Sequence, residues 1–551
     1  MTPVQLEVTM DNCDALLARI RDAVIGERMP LTTPFGTRPL IYADYTASGR
    51  GLQFIEDTIR NQVLPWYANT HTETSATGRQ TSAFREQARN AVRRSVHADD
   101  GHAVIFCGSG ATAAINRLVD SLGLRKPPRA TDDSDTPELP EHLRPVVFIG
   151  PYEHHSNDLP WRESLAQVVT IPQSPAGGVD LQALENALIR YRERPLKIGS
   201  FSAASNVTGI RTDVAAVTAL LHRHGALSFW DYAAAGPYVP INATGNGGDT
   251  RIDALFISPH KFVGGPGTPG LLVVDRKLLP ANQPAVPGGG TVSWVGPEKH
   301  TYLPPGERRE EAGTPAIVES VRAGLVFQLK DLVGAEEIER REATWLERAF
   351  RHWRDNPNID ILGGTEAERV SIVSLHILRE GKPLHHGFVV ALLNDLFGIQ
   401  VRGGCSCAGP YGHALLHLTA AQSEALEQVV AEGESLLKPG WVRLNFNYFL
   451  DIETVDYLIE AIALIADSGY RLLPYYQYDA EAGVWRYQGQ RGQAPLHLSV
   501  EDDPAPAPQR VDAPLANFLQ EARDILAAPK GVVCAQPILS PRAEDLRWFN
   551  L

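Results

Sequence analysis

Between Pro145 and Asp275 the chain alternates short β-branched and aromatic runs with amphipathic stretches. The runs are "PVVFIG", "LKIGSFSAAS", "ALSFWDYAA", "ALFISPH" and "GLLVVD", and "TDVAAVTALLHRHG" lies between two of them. Runs this apolar on both faces suit strands covered on both sides. The pattern therefore predicts an α/β fold: a large domain with a mostly parallel sheet flanked by helices. "HAVIFCGSGATAAINRLVDSL" adds a strand, a small-residue turn and a helix to the same scheme. Helical periodicity is also expected over Asp11–Arg28, Gln53–Val63 and Ser82–Val96.

Beyond about Gly290 the texture changes. One long helix is expected from roughly Pro315 to Trp353. After it come the strand "VSIVSLHIL", a helix near Phe388–Phe397, the glycine-rich "GIQVRGGCSCAGP", the strand "GWVRLNFNYFL" and a helix at Ile452–Ile465. That is a smaller α+β C-terminal domain. The expected division is 1–39 (N-terminal helical segment), 40–290 (large domain), 291–470 (small domain) and 471–551 (C-terminal extension). The proline-rich, acidic stretch at 125–145 reads as a surface insertion. In the extension, "RLLPYYQYDAEAGVWRYQGQ" predicts a hairpin, and "EDDPAPAPQRVDAP" a linker or loose strap.

Charge and cysteine usage narrow the function classes. A net charge of −14 over 551 residues argues against nucleic acid as the main partner, since phosphate-backbone binding wants a basic surface. No apolar run has the length of a bilayer span, and the start lacks the basic and apolar regions of a signal peptide. Five scattered cysteines, Cys13, Cys107, Cys405, Cys407 and Cys534, do not make a secreted disulfide framework. A reducing cytoplasm is the expected setting, with no membrane partner. No second CxC or CxxC completes a zinc site, so no metal is expected.

The ends of the expected strands carry the chemistry. Ligands of open α/β sheets gather beyond the carboxyl ends of strands. Lys261 lies there, after "ALFIS" and before a run of glycines. Taken alone, such a lysine reads equally as a snorkelling surface residue. Its neighbours change the reading. Asp231 ends the preceding strand, where an acid has no packing reason to be. "GSGAT" is a strand-to-helix turn whose free amides suit an anion, and "PYEHHSND" places two histidines after another strand. An amine, a buried acid, an anion nest and an aromatic face are the parts that pyridoxal 5'-phosphate needs.

With these motifs in this order, from about Leu40 to Asp467, the chain resembles a class V aminotransferase-fold enzyme. It is most similar to the branch of cysteine desulfurases and selenocysteine lyases. The resemblance implies that Lys261 of "SPHK" bonds to the cofactor aldehyde, with Ser258 and His260 near the phosphate. It implies that Ala111 and Thr112 bind the phosphate, that His154 stacks on the ring (His155 being the alternative), and that Asp231 pairs with the ring nitrogen. Asn206 of "ASNVTG" is expected near the ring hydroxyl. Thr314 of "EEAGTP" is expected to reach a neighbouring subunit's cofactor phosphate, which implies a homodimer. His71 of "ANTHTETS" matches a family active-site histidine. One departure stands out: Ala234 occupies a position where the family commonly has a glutamine.

"VRGGCSCAGPYGH" resembles the family's active-site loop, with Cys407 aligned to the nucleophile that takes sulfur as a persulfide. Without that context the two cysteines read as inert residues in a glycine turn. The GCxC form and "GGGT" at 288–291 are similar to molybdenum cofactor sulfurases. Cys405 would accept the persulfide or guard it as a disulfide; the residues leave both open. Arg443 of "GWVRLNF" resembles the arginine that forks the substrate carboxylate, a task that suits a guanidinium, and otherwise reads as a surface ion pair. Arg402, beside the loop, would act on thiolate or substrate. The implied activity is desulfuration of L-cysteine or a related thiol or selenol amino acid, releasing alanine, with a sulfur-acceptor protein as a possible partner. The alternatives are another class V activity (aminotransferase, epimerase or C–S lyase), or a non-catalytic sulfur carrier or scaffold.

Overall fold

The computed structural model describes residues 10–70, 72–126, 139–488, 497, 499–500 and 509–551. Most of the expected surface insertion and the proline-rich half of the expected linker lie outside the described residues. Contacts divide the chain into two units. One comprises Ala47–Glu339 and Glu366–Val370, the other Met1–Thr46, Arg340–Thr365 and Ser371–Leu551. This differs from the expected boundaries at 39/40, 290/291 and 470/471. The N-terminal helix Met10–Asp22 and the C-terminal extension belong to the same unit as the small sheet, and the transition falls inside the helix Ala335–Trp353. No helix among the described residues is long and apolar enough to cross a membrane.

The first unit is built on a seven-stranded sheet. Its strands are β1 (His102–Cys107), β2 (Val146–Ile149), β3 (Gln167–Thr170), β4 (Lys197–Ser202), β5 (Leu227–Asp231), β6 (Ala254–Ile257) and β7 (Gly270–Asp275), in the order β1-β7-β6-β5-β4-β2-β3. Pairings from β6 through β3 are parallel; β7 runs antiparallel to both β6 and β1. Six strands, β1 through β6, consequently end at one edge of the sheet. β1, β2, β6 and β7 are buried along their whole length, as strands covered on both faces must be. Helices Gly110–Ser121, His155–Arg162, Leu181–Arg190 and Val214–Arg223 follow strands in turn. Asp180 and Asp213 cap two of them by accepting from the amides of Ala183 and Ala216, a stabilisation of about 1 kcal/mol each.

The other unit carries an antiparallel sheet of β8 (Ile359–Ile361), β9 (Ile372–Arg379), β10 (Lys382–Pro383), β11 (Arg402–Gly404) and β12 (Trp441–Asn445). Their order is β8-β9-β12-β11, with β10 on β9. Helices His386–Phe397 and Ile452–Ser468 bury Phe388, Leu392, Leu396, Val455, Leu458 and Ile462 in its core. The helix Leu515–Ala527, which follows the expected linker, packs on Ile452–Ser468 and buries Leu515, Phe518 and Ala522. The hairpin Tyr476–Asp479/Val484–Tyr487 forms as expected. The single helix expected over Pro315–Trp353 is two, Ile317–Val333 and Ala335–Trp353. They part at Gly334, whose φ of 87° no other residue type adopts cheaply. The N-terminal helix stops at Asp22 rather than Arg28, because Gly26 and Arg28 take positive φ.

Candidate active site

The strand ends of the large sheet gather most of the residues singled out from sequence. Lys261 closes a short 3-10 turn, Pro259–Lys261, directly after β6. The turn is pinned by the Gly49 amide donating to the His260 carbonyl at 2.7 Å. Gly265 then passes so close to the Pro259 carbonyl that a Cβ would sit 2.1 Å from it. The glycines after Lys261 thus fold the backbone back tightly on itself.

Asp231 ends β5 and is 4 % exposed. Its Oδ1 accepts from the Ala233 amide at 2.7 Å. Burial pushes its carboxyl upward, while that amide and the positive charge of Lys261 pull it down. The two side chains therefore share one electrostatic environment. His260 is pushed down to about 4 by burial and by Lys261, so it is neutral at physiological pH.

A third group sits at the turn after β1. The Ala111 amide donates to Ser258 Oγ at 2.8 Å, which ties the start of helix Gly110–Ser121 to the end of β6. Thr112 Oγ1 lies 2.6 Å from Ser156 Oγ, and Ser156 Oγ lies 3.0 Å from His154 Nδ1. His154 also caps its helix by accepting from the Ser156 amide at 3.1 Å. A hydroxyl–hydroxyl–imidazole chain thereby joins two strand ends. His155 is the first residue of that helix, with its ring 6.2 Å from that of His154. Asn206 is buried in the turn after β4, whose tight bend is closed by Ser205 Oγ accepting from the Val207 and Thr208 amides. Ala234 is buried in the turn after Asp231.

Sequence reasoning missed Glu153. It is 5 % exposed and accepts from Ser202 Oγ (2.6 Å), Asn157 Nδ2 (2.6 Å), the Ser202 amide (2.9 Å) and the Gly150 amide (3.2 Å). Burial, with a smaller push from the charge of Asp231, raises its carboxyl to about 7 against these donors. Its position directly before His154 in a strand-end turn was the available signal. Thr314 is exposed and accepts from Asn69 Nδ2 at 3.3 Å. His71 lies outside the described residues.

The remaining candidates belong to the small-sheet unit. Arg402 on β11 stands directly opposite Arg443 on β12, a like-charge pairing that costs stability unless compensated. Asp44 compensates it, with Oδ1 3.0 Å from Arg443 Nη2 and Oδ2 3.2 Å from Arg402 Nε. Arg443 is 3 % exposed, so it is no surface ion pair; Arg402 is half-exposed. Asp44 itself is held because the Tyr45 amide donates to Asn445 Oδ1 at 2.9 Å and the Asn445 amide to the Ala43 carbonyl at 3.0 Å. Cys405 and Cys407 are free and exposed thiols. Ser406 and Cys407 both take φ of 54°, a left-handed conformation costly for side chains of this kind and concentrated at functional loops.

Comparison with known proteins shows the family and the fold. The model of the class V aminotransferase family matches residues 41–458. A probable cysteine desulfurase of Halalkalibacterium halodurans is 27 % identical over 379 residues, covering 68 % of this chain and 85 % of the other. A cysteine desulfurase of Escherichia coli is 27 % identical over 376 residues, with the same two coverages. The fold is similar to that of a cysteine desulfurase from Thermococcus onnurineus, with a TM-score of 0.63, 21 % identity, and coverage of 78 % of this chain and 95 % of that one. It is also similar to one from Escherichia coli, with a TM-score of 0.60, 20 % identity, and coverage of 77 % and 93 %. The chain belongs to the class V aminotransferase family.

Proposed function

We propose that the chain is a pyridoxal 5'-phosphate-dependent enzyme of the cysteine desulfurase type. It moves sulfur from L-cysteine, or a related thiol or selenol amino acid, onto Cys407 and releases alanine. The observation that carries this reading is that buried Asp231 ends β5 and Lys261 follows the neighbouring parallel strand β6 at the same sheet edge, in a family member whose relatives include cysteine desulfurases.

The residues present fit the cofactor. Gly110 has φ of 57°, and a Cβ there would lie 3.0 Å from Ser258 Oγ and 3.1 Å from His260 Cε1. Only glycine keeps this cradle open beside the Ala111 amide. Lys261 Nζ would hold the aldehyde carbon and Asp231 the ring nitrogen. Ala111, Thr112, Ser258 and His260 would hold the phosphate, His154 would cover the ring face, and Asn206 would sit near the ring hydroxyl. When bound, the cofactor supplies a sink for charge developing at the substrate α-carbon.

The protein's own groups supply the rest. Buried Asp231 offers a carboxylate where a protonated ring nitrogen needs one, and Lys261 Nζ moves the proton at the α-carbon. His260, held neutral, adds no competing charge. Arg443 forks the substrate carboxylate, assisted by Arg402, with His71 a further substrate-side candidate. The Cys407 thiolate attacks the substrate sulfur. The C–S bond breaks, an S–S bond forms on Cys407, and the carbon skeleton leaves as alanine once a proton is returned. A left-handed, glycine-flanked, exposed turn suits a thiol that must first receive sulfur and then present it. An acceptor protein would take the sulfur, with Cys405 receiving the persulfide or guarding it as a disulfide. Thr314 would complete a neighbouring subunit's phosphate site in a homodimer.

Incubation with L-cysteine tests the reading. The wild-type protein should form alanine, Lys261→Ala should lose both turnover and the visible absorbance of the bound cofactor, and Cys407→Ser should lose sulfur transfer. Undiminished sulfur transfer in Cys407→Ser would overturn it, as would a protein that takes up no cofactor.

A further inference from the structure

The family match ends at residue 458, yet residues near the chain's end pack behind the strand that leads into the cysteine loop. That strand, β11, has three residues, two of them glycines, and lies at the sheet edge. Short glycine-rich edge strands lie at the weakly held end of a fold, so what packs behind β11 decides how well it is held. The ring of His386 fills that place. A Cβ on Gly403 would lie 3.0 Å from His386 Nδ1, and one on Gly440 would lie 2.7 Å from its Nε2 and 2.6 Å from the Gly404 Cα. Gly403 and Gly440 thus leave room for the imidazole, with no slack.

Two rings flank His386: that of His385, with centroids 4.3 Å apart, and that of Trp548, stacked with centroids 6.2 Å apart and planes 17° from parallel. Trp548 is fixed in turn. Its Nε1 donates to the Leu437 carbonyl at 3.1 Å. Next to it Phe549 is fully buried against His385, with centroids 4.9 Å apart. The Asn550 amide donates to the Pro383 carbonyl at 2.7 Å, and its Nδ2 to the Arg379 carbonyl at 2.7 Å. All these groups lie within the small-sheet unit.

We propose that Trp548, acting through His386, is a positioning residue for the Gly403–Cys407 loop, so that the C-terminal extension sets the presentation of the Cys407 thiol. The catalytic part of this statement rests on the proposed role of Cys407; the mechanical part does not. Losing the stack of Trp548 on His386 removes an aromatic contact worth about 1.4 kcal/mol, or roughly a tenfold increase in the open population of β11.

Hydrogen exchange on the full-length holoenzyme, read by peptide, tests this together with steady-state desulfuration. In Trp548→Ala, amides of residues 402–407 should exchange roughly tenfold faster, while peptides of the large sheet and the cofactor absorbance stay unchanged. Persulfide formation should fall in kcat with KM held, and Trp548→Phe, which keeps a ring on His386, should restore both. Unchanged exchange over 402–407 in Trp548→Ala would overturn the proposal. So would a rise of equal size throughout the unit, the mark of simple destabilisation, or a failure of Trp548→Phe to rescue. If the wild-type protein forms no persulfide, the function proposed above fails, and the exchange data still decide whether Trp548 holds the loop.

Discussion

At the scale of single residues, Asp44 resolves a conflict that strand register creates. Arg402 and Arg443 face one another across β11 and β12, and one carboxylate binds both. Replacing Asp44 by Asn keeps the shape and removes the charge that Asp44 sets against buried Arg443. The expected cost is about 3 kcal/mol of stability, read as a lowered denaturation midpoint, with a raised KM for L-cysteine as Arg443 loses its fixed orientation. Glu153 makes a pH prediction. Its carboxyl is raised to about 7 in the folded chain by burial, so the native state holds that proton more tightly than the unfolded state. Its stabilising contribution is complete below about pH 4.5 and is lost as pH rises through 7, a change on the order of 3 kcal/mol. Urea midpoints of Glu153→Gln followed from pH 4.5 to 8 should lack that fall; an unchanged slope would place the proton elsewhere. Lys261, Asp231 and His154 were legible because each is a polar residue at a strand end where packing offers no reason for it. Asp44, Glu153 and Ser156 were not. Asp44 meets Arg443 across 399 positions of chain, and no local pattern announces a partner so distant.

At the scale of elements, periodicity located the large sheet well and the breaks in helices poorly. Strands such as Val146–Ile149 and Gly270–Asp275 are buried throughout, and continuous β-branched runs have few other places to go. The break at Gly334 is set by one backbone angle, which a smooth helical pattern on either side conceals. A Cβ on Gly334 would meet nothing within 4 Å, so Gly334→Ala isolates the conformational cost. We expect a loss of about 1–2 kcal/mol, seen as a lower melting temperature with desulfuration unchanged at 25 °C. At Gly110 the cost is steric as well, because Ser258 and His260 crowd the position. Gly110→Ala should therefore weaken retention of the cofactor, measured by dialysis against free phosphate, more than it lowers the melting temperature. The hairpin Val292–Val295/His300–Tyr302 escaped notice because its register is irregular and its residues are exposed, so neither alternation nor burial marks it.

At the scale of the whole chain, sequence order proved a poor guide to which parts pack together. Among the described residues, those up to Thr46 and those from Ser371 onward belong to one unit, since Ile41–Tyr42 pairs in parallel with Ile399–Gln400 and the helix Leu515–Ala527 packs on Ile452–Ser468. Linear reading assigns such segments to separate domains because their contacts are long-range. Family membership, by contrast, was legible in the order of short motifs from "GSGAT" through "SPHK" to "VRGGCSC". What joins these observations into one account is transfer of sulfur to a single thiol. Its most direct test is the mass of the tryptic peptide carrying Cys407 after the holoenzyme meets L-cysteine without reductant. That peptide should gain one sulfur atom, matched by alanine in solution, and the gain should be absent in Lys261→Ala. Alanine formed with no added sulfur on either Cys407 or Cys405 would contradict it.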